Sequence, residues 1–161
     1  MNINKFSMGA TAAIITSMGL IAGLTQGASA KISIITGLLI IAVADNISDS
    51  FSIHIYKESE GASSHEVNSF AFANFLARLF LVATFILIVL FLPPFTALIV
   101  SSIWGLILLA LLSFLITKTR KGRLTMVIRH LIIALLVIAG SKLLGYLILH
   151  QLSPIIESCG L

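Results

Sequence analysis

The stretch LFLVATFILIVLFLPPFTALIVSSIWGLILLALLSFLIT, residues 79–117, contains no charged side chain and decides the fold class. Together with the apolar residues before it, it provides two segments, 70–92 and 95–117, on either side of Pro93 and Pro94. Each segment is long enough to cross a hydrocarbon core of about 30 Å as an α-helix. Neither alternates between apolar and polar residues as a membrane β-strand does. Because proline ends one helix and begins the next, the stretch predicts a tight transmembrane hairpin.

Three further apolar segments of similar length lie outside this hairpin, at residues 8–28, 32–55 and 126–149. The chain has 161 residues, of which 58% are hydrophobic and 10% charged, and its mean hydropathy is +1.12. Soluble domains have about a quarter charged residues, so this composition excludes a soluble enzyme and a disordered chain. The single cysteine, Cys159, excludes an intrachain disulfide. We predict one all-α transmembrane domain over residues 1–161, with five spanning helices.

The basic residues predict the orientation of these five spans. One predicted side of the membrane has seven basic residues at or near the span ends: Lys5, Lys57, Lys118, Arg120, Lys121, Arg123 and Arg129. The other side has only Lys31 and Lys142. By the positive-inside rule, the N-terminus is expected in the cytoplasm and the C-terminus outside or in a lumen. The net charge of +4 then reflects topology in a cell or organelle membrane, with the bilayer as partner and no nucleic acid.

A competing interpretation concerns the first span. Lys5, the apolar residues after it and Ala28-Ser29-Ala30 also resemble a secretory signal with a cleavage site. The apolar part is longer than the roughly 7–15 residues usual in such signals, and Gly9, Gly19 and Gly23 interrupt it. Cleavage would leave four spans with both ends outside.

The second span contains polar residues at the depth where a bilayer penalises them most. Asp45 and Asp49 are four residues apart, so both carboxylates lie on one helix face, and Ser52 extends that face. Carboxylates inside a membrane usually mark an ion or proton pathway. Together with Asn46, these oxygen atoms suit a divalent cation as transported substrate, without a cofactor. The alternative is a buried polar network that only holds helices together.

Arg78 in the third span lies at a depth similar to that of Asp45 and Asp49. Counting about 1.5 Å per residue from the cytoplasmic ends of both spans predicts an Arg78–Asp ion pair, because an unpaired arginine there would be costly. Such a pair is consistent with a displaceable counter-ion in a transport path. It is equally consistent with a purely structural contact.

Two other patterns allow a functional and a structural interpretation. Gly19, Gly23 and Gly27 repeat every four residues in the first span, which predicts close helix packing, either within the chain or with a second copy. After the second span, carboxylate and imidazole side chains are frequent enough to collect a metal at the cytoplasmic mouth, or else they form an ordinary solvated loop: Glu58, Glu60, His65 and Glu66. No phosphate loop, zinc spacing or catalytic triad predicts an enzyme.

The order of these motifs resembles the vacuolar iron transporter family. Ile21-Ala22-Gly23-Leu24 resembles the end of the small-residue run in the family's first span. Ala42 to Ile53, AVADNISDSFSI, is similar to the family's G-L-A-N-L-L-A-D-x-I-S-M, and Ser59-Glu60 follows. The likeness continues through three later stretches: Pro93-Pro94, Arg129–Ile133 and Ser141–Gly145. It covers residues 9 to 147.

The resemblance implies a five-helix homodimer that exports Fe²⁺ or Mn²⁺ from the cytosol in exchange for protons. Asp49 then matches the family aspartate and Ser52 its serine, whereas Asp45 replaces an asparagine. Two family features differ, since Ala12 stands where the family has an acidic residue and Ile53 where it has a methionine. The family's long cytoplasmic metal-binding domain is also absent. The alternative function is a non-transporting structural or assembly subunit with an intramembrane Asp–Arg pair.

Overall fold

The computed structural model describes residues 4–116 and 123–152, and 92% of these residues are helical, with no strand among them. The helices are α1 (Asn4–Leu24), α2 (Ala30–Ser59), α3 (Ser64–Phe91), α4 (Pro94–Ile116) and α5 (Arg123–Leu147, continued by a wider π-helical turn, Ile148–Leu152). Side chains are described for residues 9–116 and 124–151.

Helices α2 to α5 are each long and apolar enough to cross a membrane. The described side chains of α1 form a shorter apolar segment, Gly9–Leu24. The chain is therefore an all-α, multi-pass membrane protein, as the composition predicts.

The helix ends differ from the approximate predicted spans by up to six residues, and two of these differences bear on the site. Helix α1 ends at Leu24 instead of residue 28, so Gly27 lies in the α1–α2 connection and does not extend the glycine face. Helix α3 begins at Ser64 instead of residue 70, because the Ser63 hydroxyl accepts a hydrogen bond from the Glu66 backbone N–H and caps the helix. Gly61, at φ +75°, makes the tight turn before it. The predicted basic connection, Lys118, Arg120 and Lys121, lies outside the described residues, as does Cys159.

Helix α1 occupies the centre of the bundle and packs against each of the other four helices. Its buried face combines small and branched side chains, which include Ala13, Ile14, Met18 and Ile21. The outer helices follow one another around α1, with α2 on α3, α3 on α4 and α4 on α5. Among the described residues α2 and α5 make at most marginal contact, so a cleft between them remains open toward α1.

Helix α2 changes its winding near its midpoint. Residues Ile41–Asp45 form a π-helical turn, and the Asn46 backbone N–H donates to the carbonyl of Ile41, five residues earlier. Such turns often occur at functional sites. This one ends on Asp45, the first of the two intramembrane carboxylates.

Candidate intramembrane ion site

Arg78 lies near the middle of α3 and is only 2% exposed. Its guanidinium donates to the carboxylates of both Asp45 and Asp49 on α2, with 3.0 Å between Arg78 Nη1 and Asp49 Oδ2. The predicted Arg78–Asp pairing is confirmed. It includes both carboxylates, because they lie one turn apart on the face of α2 that meets α3.

Asn74, one turn before Arg78 on α3, makes the two carboxylates unequal. It is fully buried, and its amide nitrogen donates to Asp49 Oδ2 at 3.2 Å and to Ser50 Oγ at 3.3 Å. Asp49 therefore accepts from two donors, whereas Asp45 accepts from Arg78 alone among the described residues. Asp45 is also the more exposed side chain, at 49% against 37%.

The other two predicted oxygen ligands lie differently. Asn46 is fully buried, and its amide nitrogen donates to the carbonyls of Ala42, at 3.3 Å, and Phe75, at 3.0 Å. Its Oδ1 has no hydrogen-bond partner among the described residues. Ser52 lies on the exposed face, where its hydroxyl donates to the carbonyl of Ser48 at 2.9 Å. Asn46 thus fastens α2 to α3, whereas Ser52 lies on the outward face.

Gly9 on α1 closes the inner side of this cluster. A Cβ atom at Gly9 would lie 1.7 Å from Asn74 Oδ1 and 3.0 Å from Arg78 Cδ. Only glycine therefore allows α1 to approach this closely. Asn74 Oδ1 and Arg78 Nε are buried without a hydrogen-bond partner among the described residues. A buried polar atom without a partner is costly, so Arg78 depends all the more on its hydrogen bonds to Asp45 and Asp49.

The outward face of this part of α2 is partly polar. Asp45, Ser48 and Ser52 are exposed, and the apolar Ile47 and Phe51 lie beside them on the same surface. A hydrocarbon solvent penalises an exposed carboxylate. With both aspartates ionised, the single guanidinium leaves one net negative charge. This face therefore combines negative charge with exposed hydroxyl groups on a helix long enough to cross a membrane.

The predicted metal collectors lie apart from this cluster, at the end of α2 and the start of α3. Lys57 Nζ lies 2.5 Å from Glu60 Oε2, and this hydrogen bond holds the pKa of Glu60 below its ordinary value. The exposed Glu58 lies 4.0 Å from His54, and His65 and Glu66 lie in the first turn of α3. Within the described ranges, no three His, Cys, Asp or Glu side chains approach closely enough to hold a metal. The collector assignment stays a prediction.

The glycine face of α1 packs inside the chain. A Cβ at Gly19 would lie 3.0 Å from Ser141 Oγ, and one at Gly23 would lie 3.3 Å from the Ser141 carbonyl oxygen. Conversely, a Cβ at Gly145 would lie 2.0 Å from the carbonyl oxygen of Gly23. Of the two interpretations, intrachain packing is the one present in this structure, and it brings α1 close to α5.

Sequence reasoning missed Asn74 and Gly9. The i, i+4 spacing of Asn74 and Arg78 places both on one face of α3 and was a usable signal. Gly9 gave none, since its importance depends on which helix lies opposite. Comparisons with protein-family models, curated proteins and solved structures found no match to this chain.

Proposed function

We propose that this protein is a small membrane transporter that moves a divalent metal ion, Fe²⁺ or Mn²⁺, out of the cytosol in exchange for protons, as the resemblance to vacuolar iron transporters implies. One observation supports the proposal above the others. Two half-exposed carboxylates at the midpoint of a membrane-crossing helix share a single buried arginine. Such a cluster has spare negative charge and free oxygen atoms where a bilayer otherwise excludes them.

In this mechanism Arg78 acts as an internal counter-ion for the empty transporter. A divalent cation that enters from the polar face binds the outward oxygen atoms of Asp45 and Asp49 and weakens their contact with the guanidinium. Asp45 is the carboxylate that exchanges, because only Arg78 holds it among the described residues. Asp49 stays anchored by Asn74. Protonation of Asp45 after the ion leaves restores a neutral pathway.

The proposal includes a second copy of the chain and five crossings with the N-terminus in the cytoplasm. The exposed oxygen atoms of Asp45, Ser48 and Ser52 support a dimer, since they need a polar neighbour within the membrane. Two such faces opposite each other would enclose a path of oxygen ligands. Ser52 would contribute its hydroxyl there, whereas Asn46 would act through its contact with α3.

The test is flux into liposomes that contain the purified protein and a metal-sensitive dye. We expect wild-type protein to transport Mn²⁺ and Fe²⁺ faster when the pH gradient is imposed. Asp45→Asn should reduce flux by roughly 100-fold or more, because the variant loses one of the two carboxylates proposed to bind the ion. Asp49→Asn should do the same with a larger loss of stability. Ser102→Ala is the control, since this hydroxyl bonds only its own helix, at the Leu98 carbonyl.

Absence of flux for every metal tested, from a monodisperse wild-type protein, would contradict the transporter proposal. The second candidate, a structural or assembly subunit, would then gain support. It is favoured by the near-complete burial of Arg78 and by the two ion pairs that fix α3 to α2. Under that function, the aspartates would affect assembly and stability alone.

A further inference from the structure

A cavity of about 450 Å³ opens in the cleft between α2 and α5, at the end of the bundle that holds the α1–α2 connection. Gly19 and Gly23 of α1 form its floor, and Ser141 and Gly145 of α5 form one wall. The rest of the lining is mainly leucine and isoleucine, which include Leu144 and Ile148. This volume lies in the range of about 300–1,000 Å³ that small-molecule sites have. The lining suits a hydrocarbon chain.

Two lysines are close in sequence to residues that line this cavity. Lys142 directly follows the lining residue Ser141, and Lys31 lies between the lining residues Gly27 and Ser33. Lys142 is exposed and Lys31 half-buried, and neither forms an ion pair within the part of the chain that the structure describes. The described carboxylates all lie between Asp45 and the first turn of α3. The cavity end therefore has cations without acidic partners.

A hydrogen bond places Lys142 relative to the α1–α2 connection. Gln26 Nε2 donates to the backbone carbonyl of Lys142 at 3.0 Å, which ties the α1–α2 connection to α5. Lys142 thus lies beside the α1–α2 connection, within the apolar part of α5 that continues to Gln151. Lysine side chains at that depth extend toward the headgroups, where phosphate is the available anion.

We propose that this cavity binds an anionic glycerophospholipid of the surrounding bilayer. One acyl chain lies between α1, α2 and α5, and the phosphate group contacts the ammonium groups of Lys31 and Lys142. Charge complementarity selects an anionic headgroup, and the apolar lining selects the chain. The site lies on α1, α2 and α5 at the end of the bundle away from Asp45, and it does not depend on the transport proposal.

Native mass spectrometry of the detergent-purified protein tests the site, with phosphatidylglycerol and phosphatidylcholine of identical chains as probes. We expect wild type to retain phosphatidylglycerol preferentially. The double variant Lys31→Gln/Lys142→Gln should reduce that preference by at least about tenfold. Gly27→Leu should displace both lipids. A Cβ at Gly27 meets only the Leu24 carbonyl oxygen, at 3.7 Å, so the new side chain has room to enter the cavity.

Two variants serve as matched controls. Gly140→Leu adds the same side chain on α5, where a Cβ meets nothing within 4 Å and no cavity lining is affected. Arg129→Gln removes one positive charge near the opposite end of α5. Both should bind phosphatidylglycerol as wild type does, and excess inorganic phosphate should leave the bound lipid in place.

Three results would overturn the proposal. The first is equal retention of the two lipids by wild type, and the second is unchanged lipid binding by Gly27→Leu. The third is conversion of a dimer to a monomer by Gly27→Leu without any change in bound lipid, which would assign the cavity to a second copy of the chain. Elution of each variant as a single species establishes that it has folded.

Discussion

At the residue scale, Arg78 determines the stability of the contact between α2 and α3. Its side chain is buried, and its only acceptors among the described residues are Asp45 and Asp49. Removal of one partner from a fully buried ion pair costs about 3–5 kcal/mol, and because both carboxylates here are more than a third exposed, we expect a loss toward the lower end of that range. We expect Arg78→Met, which nearly preserves volume, to lower the thermal midpoint of the purified protein strongly or to prevent its accumulation.

A triple variant tests whether uncompensated charge causes this loss of stability. If uncompensated charge is responsible, Arg78→Met combined with Asp45→Asn and Asp49→Asn should recover much of the stability, although transport stays absent. Size-exclusion chromatography after a series of heating steps measures the midpoint. A single Arg78→Met variant as stable as wild type would show that the ion pairs contribute nothing to the fold.

The same residues show how far sequence reasoning reaches. Arg78 and the two aspartates are conspicuous because each is costly in a bilayer, and helix rise alone matches their depths. Asn74 and Gly9 are ordinary residues in a membrane helix, and their roles depend on contacts between helices. The cost of an unpaired charge in a bilayer can be predicted from one sequence. A close approach between two helices cannot, because it depends on how each helix is rotated toward the other.

At the scale of the element, the π-helical turn of α2 explains how one helix face stays buried along its length. Buried positions recur at a strict four-residue spacing: Ala30, Ile34, Leu38, Ala42, Asn46 and Ser50. An α-helix has 3.6 residues per turn, so such positions drift around the axis by roughly 40° at each step. The extra residue taken up at Ile41–Asp45 offsets part of that drift. Both halves of α2 can then face α3.

Deletion of Val43 tests this explanation. Val43 lies in the π-helical turn and is 56% exposed, so its loss removes little packing. Without it the turn should become an ordinary α-helical turn, and residues 46–59 should keep nearly the same face toward α3, because a π-helical turn absorbs one extra residue. Asn46 and Asp49 should then still meet α3, and we expect the thermal midpoint to stay close to that of Val43→Ala. The control is Val43→Ala, which keeps the register.

The thermal midpoint of both variants is measured in the same detergent. A Val43 deletion much less stable than Val43→Ala would contradict the absorption of one extra residue by this turn. Periodicity analysis did not predict this turn, because the four-residue spacing is compatible with an ordinary helix over short distances. The predicted spans located the helices to within about four residues at each end, apart from the start of α3, which lies six residues earlier than predicted.

At the scale of the whole molecule, the carboxylates and the open cavity lie at different positions along the bundle. The intramembrane carboxylates lie at the middle of α2, whereas the open apolar cavity lies toward the end that holds the α1–α2 connection. Helix α1 passes through the centre, and its buried residues contact the other helices. Helix α1 is therefore part of the packed core of the described bundle.

The predicted orientation can be tested with the single cysteine of the chain. The positive-inside rule places Cys159, which lies outside the described residues, on the outer side of the membrane. We expect a membrane-impermeant maleimide to label it in intact cells. A variant with Cys159→Ser and Ala62→Cys, in the α2–α3 connection, should react only after permeabilisation, because three crossing helices, α3 to α5, lie between this connection and the C-terminus. Labelling of Ala62→Cys but not Cys159 in intact cells would reverse the topology, and with it the proposed direction of metal transport.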